Sequence, residues 1–162
     1  MDRLLLTLGT FAVALVGYAG MLKGWRSRQR RQSDLPVPPV SSGTAALRAG
    51  PVPGLFVGTT GADHWLDRVA VHHLSDRAAA TALVAADGVH VERDGLPELF
   101  VPWDLLHHSG VETALGGKVV STGMLVLTWE LGDRLLRTAF RADDRADHDL
   151  LLNAITTSLE TT

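Results

Sequence analysis

Positions 4–22, LLLTLGTFAVALVGYAGML, run for 19 residues without a charged side chain. At about 1.5 Å of rise per residue such a helix is ~28 Å long, close to the ~30 Å hydrocarbon thickness of a bilayer. The pattern predicts a membrane span, since core helices are usually shorter and carry polar positions. A cleaved leader has a shorter apolar core and a neutral mature start. Here Arg3 alone precedes the run, and Lys23, Arg26, Arg28, Arg30 and Arg31 follow it at once. Retention as an anchor is the reading. The basic excess behind the span places residues 1–3 outside and the chain after residue 22 in the cytoplasm of a single-pass plasma-membrane protein. Residues 23–31 are a basic juxtamembrane segment, with Trp25 at the interface.

From 32 to 53 the periodicity vanishes. Five of the seven prolines lie here, at 36, 38, 39, 51 and 53, among Ser, Gly and Ala. Such a segment reads as a Pro-rich linker; Pro36 and Pro39 also supply a PxxP docking pattern. Residues 54–162 then alternate in short stretches. Strands are predicted at 55–60, at 78–86 and 89–93 around Asp87-Gly88, at 98–101 and at 105–114. The best pair is Met124–Glu130 with Arg134–Phe140, joined by a compact loop containing Gly132. Its alternation puts Leu125, Leu127 and Trp129 on one face and Met124, Val126 and Thr128 on the other. A short helix or irregular turn is expected over 63–73, from Trp65, Leu66 and Val69. A last helix, capped by Asp143 or Asp144, carries Leu151, Ile155 and Leu159 on one face. Strands precede the helix without βαβ alternation, which disfavours a doubly wound nucleotide-binding sheet.

Charge sharpens this division. The net charge of −3 is the sum of +4 over residues 1–34 (six Lys/Arg, two Asp) and −7 over residues 35–162 (nine Lys/Arg, sixteen Asp/Glu). An acidic domain is repelled by phosphates, so no nucleic-acid partner is expected. The chain has no cysteine, which excludes disulfides, thiolate metal sites and cysteine nucleophiles.

The candidate chemistry is thin. His72-His73 and His107-His108 are adjacent pairs, so in a strand each pair offers one histidine to any common ligand. No metal site is assigned. Asp143, Asp144, Asp147 and Asp149 lack the glycine and terminal glutamate of a calcium loop and suit a helix N-terminus. Gly54, Gly58 and Gly61 lack the lysine of a phosphate loop. No nucleophile–base pair can be assembled, so no catalytic residue, cofactor or enzymatic activity is expected. Arg77 and Arg93 sit among acids, a poor start for a phosphoinositide pocket.

The segments GLFVGTT (54–60), DHWLDRVAVHHL (63–74), DGVHVERDG (87–95), LFVPWDLL (99–106), GGKVV (116–120) and LVLTWELGDRLLRTAFRADD (125–144) carry a resemblance. The chain resembles a family of actinobacterial single-pass membrane proteins with a PH-like cytoplasmic domain, often encoded beside pyrimidine-biosynthesis genes and sometimes labelled transporters. The resemblance implies an N-terminal transmembrane helix plus a mainly-β (α+β) domain. That domain would be a PH-like roll of about seven antiparallel strands closed by a C-terminal α-helix.

Together these readings describe a membrane-tethered, non-catalytic scaffold. It would be held in the bilayer through residues 4–22 and at the lipid surface by Lys23, Trp25, Arg26, Arg28, Arg30 and Arg31, and would bind a cytoplasmic protein. The alternative is a small-molecule-binding or enzymatic domain using the barrel interior. Trp103, His107 and His108 are the candidate pocket or partner residues under either reading. Homo-oligomerisation through Gly20 and Gly24 is a third expectation.

Overall fold

The structure, a computed structural model, describes residues 2–63, 67–115 and 118–161, without the side chains of 2–6, 25, 28–31, 114, 115 and 118–122. It divides into two units, 1–34 and 35–162. The first is one helix, α1 (Asp2–Arg31), which runs unbroken through the apolar stretch and the basic residues that follow. Thr7–Gly24 is long and apolar enough to cross a membrane, and none of it is buried. Phe11, Val13, Val16 and Met21 are all more than 60% exposed.

The second unit is a seven-stranded antiparallel sheet closed by a helix. The strands are β1 (Leu47–Gly61), β2 (Ala78–Ala85), β3 (Gly88–Arg93), β4 (Leu99–Pro102), β5 (Leu106–Leu115), β6 (Lys118–Leu131) and β7 (Arg134–Ala142). A single 3₁₀ turn, Trp103–Leu105, separates β4 from β5. The sheet order is β4-β3-β2-β1-β7-β6-β5, so β1 joins an N-terminal meander to a C-terminal one. Every neighbouring pair whose register is resolved runs antiparallel. Helix α2 (Arg145–Thr161) follows β7 and lays its apolar stripe on the sheet. Its N-terminus is capped as expected, with the Ala146 amide donating to Asp144 Oδ1 at 2.8 Å.

The predicted alternation orients β6 correctly. Leu125, Leu127 and Trp129 enter the main core with Phe56, Phe140, Leu99, Leu151 and Ile155. The opposite face is buried too, where Met124 and Val126 form a second cluster with Val57 and Ala139. An Arg137–Glu112 ion pair crosses β6 on that side, from β7 to β5. Polar groups in the main core pair with one another. Trp129 Nε1 donates to Thr138 Oγ1 at 2.9 Å, and Thr138 shares a 2.8 Å hydrogen bond with Thr59.

One segment departs from expectation, and at 67–77 the irregular turn holds in place of the short helix. Residues 32–53 are not a free spacer. Leu35 is 3% exposed within the main core, and 47–53 belong to β1. Proline inside a central strand normally removes a ladder donor. Here β1 pairs with β7 only from Gly54 onward, so Pro51 and Pro53 lie where β2 is the strand's one ladder partner. The bulges on either side of Ala49 absorb the remaining misfit. Over 67–77 there is no helix but an irregular loop that buries Val69 and Leu74. His72 and His73 take left-handed backbone angles there, with φ of 55° and 57°. Trp65, Leu66 and the Gly116-Gly117 turn lie outside the described residues.

The handover at Gly54 tolerates no side chain. A Cβ there would stand 2.3 Å from the Arg141 carbonyl oxygen and 2.7 Å from the Phe140 ring. Gly54→Ala is expected to destabilise the domain by about 1–3 kcal/mol, the usual cost of overpacking. Urea unfolding of the domain followed by tryptophan fluorescence would measure it, and an unchanged midpoint would refute the close approach.

Candidate functional site

Trp103 is buried, whereas His107 and His108 are exposed. The Trp103 ring is buried, and its N–H is shared between the Ala85 and Ala86 carbonyls at 3.2 and 3.1 Å. Trp103 is a core anchor that seals the end of β2. His107 is exposed and meets Glu130 Oε2 at 3.1 Å. His108 is also exposed and lies beside Gly110. Within the barrel, Phe56, Trp129, Phe140, Leu74, Leu99 and Leu136 are each at most 2% exposed. All six belong to the main core cluster.

In the basic segment, Lys23 and Arg26 are exposed on the last turns of α1. The side chains of Trp25, Arg28, Arg30 and Arg31 lie outside the described residues, although their backbone is helical. Because the helix continues to Arg31, positions 23, 26 and 30 fall on one face at i, i+3 and i+7 spacing.

The densest polar cluster in the sheet centres on His90. Its Nδ1 lies 2.7 Å from Glu98 Oε1 and its Nε2 2.9 Å from Asp87 Oδ1, with the side chain 8% exposed. The ring also rests against Phe100, centroid to centroid at 4.6 Å. An anionic acceptor beside each nitrogen favours the doubly protonated form of the imidazole. Burial by itself would lower its pKa, but the hydrogen bonds and charges of Asp87 and Glu98 outweigh it and raise the value above 6.5. The cluster ties β3 to the turn before it and to the residue that leads into β4. Sequence reading passed over it. Its signal was diagonal: His90 pairs with Phe100, which places Glu98 two residues along the facing strand, while Asp87 occupies the preceding turn.

Arg93 is likewise turned inward, at 6% exposure. Its guanidinium donates to the His73 carbonyl at 2.7 Å and twice to the Pro97 carbonyl, at 2.9 and 2.6 Å, while lying 4.8 Å over the Phe56 ring. Burial lowers its pKa, partly offset by Asp76. Arg68 also donates inward, to the Val57 and Ser75 carbonyls. These arginines brace the loop after β1 and offer no outward cluster to an anionic headgroup.

Two buried polar atoms among the described residues lack a partner, Thr60 Oγ1 and His148 Nε2. His148 lines an open recess of about 270 Å³ at the β7–α2 junction. Arg141 and Arg145 line it together with Asp143 and Asp144, so its lining carries both signs of charge. No group of three histidine or carboxylate side chains among the described residues is placed to hold a metal ion.

A bent seven-stranded antiparallel sheet sealed by one C-terminal helix defines the PH-like class of domain. Residues 32–156 match the model of the family described as Bacterial PH domain-like, and the chain belongs to that family. No curated protein matches the chain.

The His90 clamp gives stability a defined pH dependence. Its folded pKa is raised, so its contribution is complete below the unfolded value of 6.5 and is lost as pH rises through the higher folded value. The stability difference between the natural chain and His90→Gln should therefore be larger at pH 6 than at pH 8.5. Denaturant unfolding at the two pH values checks this; a difference growing with pH would show that the two carboxylates do not hold the cation.

Proposed function

We propose that this chain is a membrane-tethered, non-catalytic PH-like scaffold that holds a protein partner at the cytoplasmic face of the membrane. The observation that carries the reading is α1, an 18-residue apolar stretch with every side chain turned outward, followed in the same helix by basic residues. In water such a surface is costly, about 25 cal/mol per Å² of apolar area. In lipid it is at home, and the basic run behind it favours the cytoplasmic side for the domain.

The domain's chemistry points the same way. The most buried arginine and histidine are engaged with carbonyls and carboxylates, and the barrel is filled with apolar side chains. Filling weighs against the alternative of a ligand or substrate inside the barrel. The −7 charge of residues 35–162 weighs against a nucleic-acid partner. A protein that docks on the outer surface, concentrated by the tether, suits this arrangement.

The chain lacks cysteine, so single introduced cysteines report topology cleanly. With an impermeant maleimide on intact cells, Asp2→Cys should label and Asp94→Cys should label only after lysis; the reverse pattern would overturn the orientation. Val13→Arg with Leu15→Arg should release the protein from carbonate-washed membranes, each arginine costing about 2.5–3.5 kcal/mol at mid-span. Crosslinking in the native membrane followed by mass spectrometry should recover one stoichiometric soluble partner. Dimers of the chain alone would instead favour self-association through Gly20 and Gly24.

A further inference from the structure

Residues 35–46 form no sheet ladder, yet they are held to the domain at separate points. Leu35 is 3% exposed in the main core, and its carbonyl meets His72 Nε2 at 2.8 Å. Pro36 covers the β6–β7 turn, with two ring carbons 3.0 Å from where a Cβ on Gly132 would stand. Ser41 Oγ reaches Asp87 Oδ2 at 3.5 Å, and the Ala86 amide donates to the Ala46 carbonyl at 2.8 Å. Between these points the segment stands in solvent, with Val37 70% and Val40 87% exposed and Gly43 in a left-handed turn. The family match beginning at residue 32 places the same segment with the domain.

We propose that residues 35–46 are a detachable strap that sets how far the domain reaches from the membrane. The idea rests on the reading of α1 as a membrane anchor. With the strap seated, only residues 32–34 separate the end of α1 from the domain. Four Cα steps cover at most ~14 Å. With it released, the connecting chain is 32–46, a coil of ~20 Å root-mean-square length and ~50 Å at full stretch. Seating therefore confines the domain's partners to those at the membrane surface, and release opens the adjacent cytoplasm. Leu35 is the latch, because it supplies the strap's one deeply buried side chain. Beyond the strap the chain is held by the sheet, since β1 begins at Leu47.

The test is hydrogen exchange with mass spectrometry on the full chain in lipid nanodiscs, comparing the natural protein with Leu35→Ala and Leu35→Asp. Local opening of a seated strap should speed exchange of the Ala86 amide, whose acceptor is the Ala46 carbonyl, at least tenfold (about 1.4 kcal/mol), with protection of β6 and β7 unchanged. Energy transfer from a dye at Glu92→Cys to labelled lipid should fall in the same variants. Unchanged exchange in Leu35→Asp would overturn the latch. Loss of β6–β7 protection in step with the strap would overturn detachability, because the segment would then be inseparable from the core. Repeating the exchange in detergent separates the two ideas: if α1 proves not to be an anchor, the exchange pattern still decides whether the strap opens, and only the energy-transfer arm loses its meaning.

Discussion

Leu151 and Ile155 reach from α2 into the interior that Phe56, Trp129 and Phe140 fill from the sheet, and all five are at most 2% exposed. The rest of the domain depends on this meeting. A seven-stranded antiparallel sheet with free edges at β4 and β5 has one apolar face too many for water. Bending brings that face onto itself, and the helix closes what bending leaves open.

The polar groups show how thoroughly the domain has turned its chemistry to construction. His90, Arg93, Arg68 and the Trp103 N–H each face a carboxylate or carbonyl within hydrogen-bonding distance. A buried charge is tolerated only when its partners replace water, and here they do.

Sequence reading succeeded where one physical signal dominated. The alternation in β6 and β7, the turn at Asp87-Gly88 and the four-residue spacing of Leu151 and Ile155 all survive in the structure because burial alone dictates them. It fell short where neighbours decide. Pro51 and Pro53 argued against a strand, yet β1 accommodates them because β7 has not begun to pair with it there. Leu35 stands among prolines and polar residues, with no periodic partner to mark it as core. The His90 cluster depends on which residue of β4 faces β3, a matter of register invisible along one chain. Trp103 reads in the sequence as a pocket or partner residue, and only its carbonyl partners mark it as core.

The hydroxyls at the centre of the sheet bear on how the chain finds this arrangement at all. Thr59 from β1, Thr138 from β7 and the indole of Trp129 from β6 satisfy one another in an apolar interior. Sliding any of the three strands by one position would leave at least one of these groups stranded in oil, besides turning leucines to water. A misaligned sheet would thus be penalised twice, by hydrophobic exposure and by orphaned polar atoms. Two small polar contacts among three strands serve as a built-in proofreader of strand alignment.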